Sequence, residues 1–390
     1  MNSRERVLTT LRHEEPDRVP FDLGSFKYAG IHREAYKNLL RYLGMDNYIS
    51  NHTGEYEFHD VLSGAAEMDQ EVLQKLGVDV RGAIPNSSSD WELDINHSNN
   101  YKFFTDEFGI TWFKPEGGYY YDQRPGESQP LSGNITLKDI EEFDWPEPRD
   151  PERLKGLEDK LSQLRNEGYA TVMRSVSGGA FQTSFRMRGY EQFYKDLAGH
   201  PELAYKLMEK LADFKIEFWD MLLDKVGYLI DIIVEPDDLG AQDRTLISKS
   251  MYRELVKPHH KRLFSFIKYK SPNIFTMLHS DGNISGLIPD LIEAGVDVLT
   301  PVQVGAKGMN ARTLKQKYGD AISFWGAGVN TQTVLPNGTP KEVKEEVGNR
   351  IETFAPGGGF VFAAIHNIQA DVPPENIVAM WEAYKDNAEY

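Results

Sequence analysis

Two histidines and one carboxylate follow apolar runs that are typical of buried strands. The run that begins at Asn273 leads into His279-Ser280-Asp281-Gly282, and His366 follows a second run near the C-terminus. Two imidazoles and a carboxylate are the protein ligands of many catalytic zinc sites, and iron(II), cobalt or manganese would also fit. The same side chains would suit a metal-free pocket in which histidine acts as acid or base, or would only cap a helix and form an Asx turn. The residues alone leave these alternatives open.

Further polar residues follow the other predicted strands. Because the carboxyl ends of parallel barrel strands meet at one face, we expect these side chains to converge with the two histidines. They are Asp22, Glu235, Asp237, Asp238, Gln303 and Asn330. Glu235 has an alternative role as a strand-end cap, and Gln303 would be either a weak ligand or a hydrogen-bond donor.

Two arginines, Arg186 and Arg188, follow the turn Gly178-Gly179. A guanidinium binds a carboxylate through two parallel hydrogen bonds, so one function for this pair is to clamp a substrate carboxylate. The alternative is that both arginines pair with acidic side chains, which are plentiful in this sequence.

Eight predicted strands, nearly all followed by helices, position these residues. They are residues 18–24, 78–84, 170–175, 228–234, 273–279, 296–300, 322–326 and 359–365. This alternation is typical of a (β/α)8 TIM barrel, an α/β fold whose catalytic residues lie at the carboxyl ends of the strands. A doubly wound sheet is the second choice, but residues 22–26 lack the G-x-G-x-x-G loop that usually follows its first strand.

The segment 86–150 differs from the rest, because it is rich in Asn, Ser, Gly, Pro and aromatic residues. Residues 103–113 and 118–122 are predicted to form a hairpin, so we expect a loop and hairpin insertion after the second strand, over one mouth of the barrel. Its aromatic side chains would contact a flat ligand or would only anchor the loop. Residues 60–76, before it, are predicted to be one helix, and 1–390 a single barrel domain.

The composition limits the classes of function. The net charge of -17 over 390 residues argues against nucleic acid and anionic membranes as partners. The absence of cysteine excludes disulfides, thiolate ligands and a thiol nucleophile. No apolar run approaches the length of a membrane span and no signal peptide is visible, so the cytoplasm is the expected location. The oligomeric state stays open, a homodimer included.

Five segments, taken in order, resemble the uroporphyrinogen decarboxylase superfamily. They are residues 14–20 (EEPDRVP), 143–148 (FDWPEP), 237–240 (DDLG), 279–284 (HSDGNI) and 373–377 (PPENI). The resemblance covers nearly the whole chain and implies a (β/α)8 barrel. True decarboxylases carry an M-R-Q-A-G-R-Y segment that binds porphyrinogen carboxylates, whereas residues 22–30 here contain no arginine. The resemblance therefore favours the other large branch, the corrinoid-dependent methyltransferases.

Members of that branch that act on coenzyme M hold zinc with His-x-Cys and a distant Cys. His279-Ser280-Asp281 is similar to the first motif with Asp in place of Cys, and the distant Cys corresponds to His366. Both replacements can bind metal, so the resemblance implies zinc or another divalent metal held by His279, Asp281 and His366. It also argues against coenzyme M as the substrate.

The branch without these cysteines resembles methyltransferases that move a methyl group from a small methoxylated or N-methylated compound to the cob(I)alamin of a corrinoid protein. The resemblance implies this O-demethylase type of reaction, with the metal as Lewis acid on the ether oxygen. The expected catalytic residues, which would orient substrate or metal-bound water, are Asp237, Asp238 and Glu235. The expected substrate-binding residues are Gln303, Asn330 and Asp22. The alternatives are a cofactor-free decarboxylase or lyase of a small carboxylated compound, and a non-catalytic barrel that binds a small molecule.

Overall fold

The structure is a computed structural model that describes residues 1–48, 58–98 and 100–390, without the side chains of Phe58 and His59. Its strands are Phe58–Asp60, Ala65–Ala66, Val80–Ala83, Asn96–Ser98, Tyr101–Thr105, Thr111–Pro115, Ala170–Arg174, Ile232–Pro236, Phe275–His279, Val298–Thr300, Ser323–Trp325 and Phe360–Val361. Its α-helices are Ser3–Leu11, Arg33–Tyr42, Gln70–Leu76, Leu137–Glu141, Leu157–Asn166, Ala180–Arg188, Tyr190–Gly199, Pro201–Val226, Lys249–Met251, Lys257–Lys270, Ile288–Ala294, Ala311–Tyr318, Val334–Asn337, Pro340–Phe354 and Pro374–Asn387. Within these ranges, no helix is both long and apolar enough to cross a lipid bilayer.

A parallel sheet of seven strands carries the candidate site. Its strands are neighbours in chain order, from Val80–Ala83 at one edge to Phe360–Val361 at the other. The register pairs His279 with Pro236 on one side and with Thr300 on the other. The loops that follow these three strands therefore begin side by side, and this confirms the α/β class with a parallel sheet.

The predicted first strand, residues 18–24, is wrong as a regular strand. Only Phe21 forms a parallel bridge, with Phe362, although the segment hydrogen-bonds on both sides. The amide of Asp22 donates to the Phe362 carbonyl at 2.9 Å, and the amide of Asp79 donates to the Phe21 carbonyl at 2.8 Å. Pro20 has no N–H to extend the ladder. The segment nevertheless bonds to residues beside both edges of the seven-stranded sheet.

The predicted helix 60–76 is also wrong in its first half. Phe58–Asp60 and Ala65–Ala66 pair antiparallel, and only Gln70–Leu76 is helical. The Asp60 carboxylate accepts from the Ser63 amide at 2.9 Å and fixes the turn between the two short strands. Such local side-chain to backbone bonds compete with helix formation.

A hairpin lies within 86–150, but its bounds differ from the predicted ones. Tyr101–Thr105 pairs antiparallel with Thr111–Pro115, and Asn96–Ser98 adds a third strand. The segment 118–122 contributes a single bridge between Phe113 and Asp122. That the whole segment is an insertion into a barrel domain of 1–390 stays a prediction.

The apolar side chains of the strands belong alternately to two clusters. The inner cluster includes Val172, Val234 and Met277, while the outer cluster includes the next residues along two of these strands, Met173 and Leu278. Successive side chains of a strand point to opposite faces, so the inner cluster covers one face of the sheet. The outer cluster also contains apolar residues of the surrounding helices.

Candidate metal centre

The structure brings the three predicted metal ligands together. His279, Asp281 and His366 each offer a ligand atom within 4.8 Å of the other two. The Asp281 Oδ2 atom lies 3.5 Å from His279 Nε2 and 3.7 Å from His366 Nε2. His279 follows Leu278 of the outer cluster, so strand alternation turns its imidazole to the inner face. Gly282, with a φ of +83°, makes a tight turn after Asp281.

The imidazole of His279 is fully buried, and neither of its nitrogens has a hydrogen-bond partner among the described residues. Buried polar atoms are nearly always paired, because an unsatisfied one loses its water without replacement. A divalent cation between the three side chains would give one of these nitrogens a ligand bond. The donor set, two imidazoles and a carboxylate, suits zinc and other borderline metals. The residues present therefore fit a bound metal.

The charges of the three groups support one another. Burial alone would raise the pKa of Asp281, but the imidazoles of His366 and His279 outweigh it and lower this pKa to about 2. Burial lowers the pKa of His366, and the neighbouring His279 adds to that effect. Asp281 is therefore a carboxylate at neutral pH, and His366 favours the neutral form in which imidazole binds metal.

Asp238 is the only one of the three predicted catalytic carboxylates that reaches this centre. Its Oδ1 atom lies 4.0 Å from His279 Nε2 and accepts a hydrogen bond from the Asp281 amide at 3.2 Å. The Gln182 side chain donates to its other oxygen. Burial, and then the charge of Asp281, raise the pKa of Asp238.

Glu235 points the other way. It follows Val234 of the inner cluster, so it faces outward to the helix Pro201–Val226. There its carboxylate accepts from Lys215 Nζ at 2.8 Å and from Trp219 Nε1 at 2.5 Å, and the ion pair is almost completely buried. The contacts of Glu235 are thus with a helix, which is a different arrangement from the strand-end cap considered as its alternative role.

Asp237 also faces away from the centre. Its carboxylate accepts from the backbone amides of Phe181 at 3.1 Å and Gln182 at 2.6 Å, at the start of the helix Ala180–Arg188. A hydrogen bond of 2.8 Å joins it to His260 Nε2. A carboxylate in this position satisfies free helix amides and complements the helix dipole. A Cβ on Gly179 would come within 2.2 Å of Asp237, so the close approach requires glycine.

A cavity of about 320 Å³ adjoins Asp281 and His366. Its other lining residues are Gln242, Gln303, Asn330, Thr331, Gln332, Ile365 and Gln369. Among the described residues of this lining, none is Lys or Arg. The cavity is therefore neutral and rich in side-chain amides, apart from the two candidate ligands.

Two predicted substrate-binding residues, Gln303 and Asn330, line this cavity. Gln303 Oε1 accepts from the Gly282 amide at 2.7 Å and so holds the turn that carries Asp281. Asn330 Oδ1 accepts from the amides of Gln332 and Thr333. Both residues therefore also order the loops of the cavity.

The third, Asp22, lies apart from the cavity. It is buried and accepts hydrogen bonds from Ser25 and from Trp325 Nε1 at 3.0 Å. Burial raises the pKa of Asp22 to about 6, although these hydrogen bonds oppose the shift. The Asp22 carboxylate therefore binds neighbouring side chains of the protein and does not line the cavity.

The comparisons with known proteins agree with this fold. Residues 118–387 match the family described as uroporphyrinogen decarboxylase (URO-D). The chain belongs to the uroporphyrinogen decarboxylase family. It is 25% identical over 284 residues to a methylated-thiol–coenzyme M methyltransferase of Methanosarcina mazei, covering 71% of this chain and 67% of that protein. It is 35% identical over 269 residues to a uroporphyrinogen decarboxylase of Pseudoalteromonas translucida, covering 66% and 71%.

A solved structure described as a methyltransferase from Methanosarcina mazei superposes with a TM-score of 0.64 at 18% identity, covering 99% of each chain. At this identity the likeness concerns the fold. Family membership confirms the resemblance that the sequence indicated. It does not decide between decarboxylation and methyl transfer, because relatives of both kinds are found.

Sequence reasoning missed Tyr28 as a member of the centre. Its ring lies parallel to that of His279, with centroids 3.4 Å apart and planes 11° apart. Tyr28 belongs to the short helix Lys27–Ala29, after the irregular first segment. Periodicity cannot place a residue in such a loop, so only its position after the first strand gave a signal.

Proposed function

We propose that this member of the uroporphyrinogen decarboxylase family is a metal-dependent methyltransferase. It would move a methyl group from a small methoxylated or N-methylated compound to the cob(I)alamin of a corrinoid protein. The observation that carries the proposal is the buried His279 beside Asp281 and His366, with no hydrogen-bond partner for either ring nitrogen among the residues that the structure describes. A proton-transfer residue of a metal-free enzyme would have a hydrogen-bonded partner for at least one nitrogen.

The similarity to the Methanosarcina mazei methyltransferase supports the reaction class. The nitrogen and oxygen ligands of this centre favour a methyl donor other than a thiol. Nitrogen and oxygen ligands leave more positive charge on a zinc ion than thiolates do, and this favours an ether oxygen or an amine over a soft thiol.

The residues of the centre would bind, orient and shield the donor. His279, Asp281 and His366 would hold the metal, which supplies a Lewis acid at the donor heteroatom. Asp238 and Gln303 keep the loop of Asp281 in place through its amide and that of Gly282. The corrinoid of the partner protein would supply the nucleophilic cobalt(I) electron pair that accepts the methyl group, and the donor heteroatom would keep the pair of the broken bond.

The cavity beside Asp281 and His366 would accept the donor, and its open side would face the corrinoid protein. We further infer that the segment 20–22 completes a (β/α)8 barrel of residues 1–390, with 86–150 inserted. The hydrogen bonds of Phe21 and Asp22 support this closure.

The metal is tested first, without any assay of activity. Full-length protein is loaded with zinc, dialysed, and analysed for metal in the wild type and in His279→Ala, His366→Ala and Asp281→Ala. The expected result is one zinc per chain in the wild type and a loss of stoichiometric zinc in each variant. His200→Ala is the matched control, because this imidazole is exposed and remote in sequence from the centre. A zinc-free wild type would overturn the metal site.

Methyl transfer is then tested with free cob(I)alamin and a panel of methoxylated and N-methylated donors. Loss of the cob(I)alamin absorption with donor, in the zinc-loaded wild type and not in His366→Ala, is the expected result. If the whole panel leaves cobalamin unchanged while the chain decarboxylates a carboxylated compound without cobalamin, the second candidate is correct. That candidate is a decarboxylase. Its support is the similarity to the uroporphyrinogen decarboxylase of Pseudoalteromonas translucida.

A further inference from the structure

Three cationic side chains gather near Tyr28, the residue whose ring stacks on His279. Lys27 precedes Tyr28, Arg174 ends the strand Ala170–Arg174, and Arg186 lies on the helix Ala180–Arg188. Arg174 follows Met173 of the outer cluster, so strand alternation turns it to the same inner face as His279. We call Lys27, Arg174 and Arg186 the basic triad.

In the described chain, Asp60 is the one carboxylate within ion-pair distance of the basic triad, and Asp238 attracts Arg186 from farther away. Asp60 Oδ2 lies 3.0 Å from Arg174 Nη1 and 3.5 Å from Lys27 Nζ. Arg186 makes no ion pair within the described part of the chain. Its guanidinium instead lies 5.0 Å from the ring centroid of Trp112. This grouping of cations lies in a chain whose net charge is -17.

These positive charges are partly shielded from water, and such burial of charge costs free energy. The side chains of Lys27 and Arg174 are only 13% and 20% exposed. Burial lowers the pKa of Lys27 to about 8, and Arg174 and Arg186 add to this effect against the attraction of Asp60. Proteins retain such uncompensated charge where a ligand supplies the missing counter-charge.

The other arginine that the sequence singled out has a different environment. Arg188 donates to Asp196 at 2.6 Å and to the carbonyls of Leu131 and Gly133. It is therefore fully used in holding the segment that follows the hairpin. Of the two predicted clamps, only Arg186 lacks an ion pair within 4.0 Å in the described chain.

The basic triad lies within the length of a small molecule of the metal centre. Lys27 Nζ is 5.0 Å from the Tyr28 ring, which in turn stacks on His279 at 3.4 Å. The cavity at Asp281 and His366 has no cationic lining residue in the described chain. A donor with one anionic end would therefore bind in one orientation only.

We propose that the basic triad binds a carboxylate of the methyl donor, with Arg174 and Arg186 as its main contacts. This inference rests on the proposed methyltransferase function and narrows it to donors that carry an anionic group. The guanidinium fork matches a carboxylate in geometry, and Lys27 adds a point charge. The triad would thus choose the donor and direct its methylated heteroatom toward His279.

The test measures binding, by titration calorimetry on zinc-loaded full-length protein without cobalamin. Two carboxylates, 4-methoxybenzoate and N,N-dimethylglycine, are compared with 4-methoxybenzyl alcohol and N,N-dimethylethanolamine, which carry the same methylated groups. We expect at least one carboxylate to bind about tenfold or more tightly than its partner. Arg186→Gln and Arg174→Gln should remove that preference, while Arg244→Gln, an exposed arginine, should keep it.

Each outcome of the titration either supports or refutes the inference. If neither carboxylate binds better than its partner, or if both triad variants keep the preference, the inference is wrong. Inorganic phosphate binding more tightly than both carboxylates would reassign the triad to a phosphate ligand and also overturn it. Because Arg186 makes no ion pair in the described chain, Arg186→Gln is expected to fold even where Arg174→Gln does not. A carboxylate preference without any methyl transfer would refute the proposed function and leave the triad intact.

Discussion

The phenol ring of Tyr28 lies flat against the imidazole of His279, with ring centroids 3.4 Å apart and planes at 11°. The same phenol meets the ring of His366 edge-on at 5.6 Å. One aromatic side chain therefore fixes the planes of both candidate metal-binding imidazoles. Since His279 has no hydrogen bond to orient its ring in the described chain, this contact takes the role that a bonded carboxylate has in many metal sites.

Replacing Tyr28 is therefore expected to weaken the metal site without touching a ligand. Tyr28→Ala should lower zinc affinity by about 10-fold or more, because partners that orient ligands have effects of about 10–100-fold. Tyr28→Phe keeps the stacked ring and should stay within about twofold of the wild type. Competition with a chromogenic chelator measures both. Equal affinity of the Ala variant and the wild type would show that the stack is not needed.

Replacing the neighbouring carboxylates Asp237 and Asp238 should have different effects, one on stability and the other on function. Asp238→Asn is expected to change zinc affinity or methyl transfer, since Asp238 lies 4.0 Å from His279 and holds the Asp281 amide. Asp237→Ala should instead destabilise the fold by about 1–2 kcal/mol, because it removes the cap of the helix Ala180–Arg188. Thermal unfolding and zinc titration of both variants test this. The opposite assignment of the two effects would contradict the outward orientation of Asp237.

The sequence predicted the parallel sheet, the strand that carries His279 and the meeting of His279, Asp281 and His366. These follow from apolar runs that end at polar residues, and such runs are a local signal. The orientation of the carboxylates was not predicted, although alternation along the strand Ile232–Pro236 would have turned Glu235 outward. Asp237 and Asp238 lie beyond the strand, where alternation is no longer a reliable guide.

The remaining differences arise where long-range contacts override local pattern. The segment 18–24 is limited by Pro20, and its bonds to Phe362 and Asp79 join residues more than fifty positions apart in sequence. The turn that Asp60 forms with Ser63 replaces the first part of the helix predicted for residues 60–76. Tyr28 and Lys27 lie in a loop, and loop geometry depends on what packs against it.

Asp22 should make the stability of the protein depend on pH. Its pKa is 3.8 in the unfolded reference and about 6 in the folded protein, where burial is the main cause. Between pH 4 and 6 the folded chain therefore holds a proton that the unfolded chain has lost, so this group's contribution falls as pH rises. The loss is at most about 3 kcal/mol.

The Asp22→Asn variant isolates this contribution. The unfolding free energy of the wild type minus that of Asp22→Asn should decrease from pH 4 to pH 6 and then level off. Urea denaturation at several pH values gives the difference, in which carboxylates common to both chains cancel. A difference that is flat, or that rises with pH, would show that Asp22 is ionised in the folded protein at pH 4. The same variant should keep its zinc, because Asp22 lies outside the centre.

Lys215 and Glu235 form the buried ion pair whose removal should cost the most stability. Their side chains are 0% and 2% exposed, and their nearest charged atoms are 2.8 Å apart. Lys215→Met leaves the Glu235 carboxylate buried without its cation, and we expect a loss of about 3–5 kcal/mol in the free energy of unfolding. Lys155→Met is the matched control, since its ion pair with Glu152 is exposed to water and should contribute little to the free energy of unfolding.

The double variant Lys215→Met with Glu235→Gln should recover at least half of that loss. Glutamine is neutral and still accepts from Trp219 Nε1, so neither a charge nor an indole donor is left unsatisfied. Zinc content should equal that of the wild type in every folded variant of this set, because Glu235 faces the helix and not the centre. Loss of zinc in a double variant that remains folded would return Glu235 to the catalytic residues, as the sequence alone had placed it.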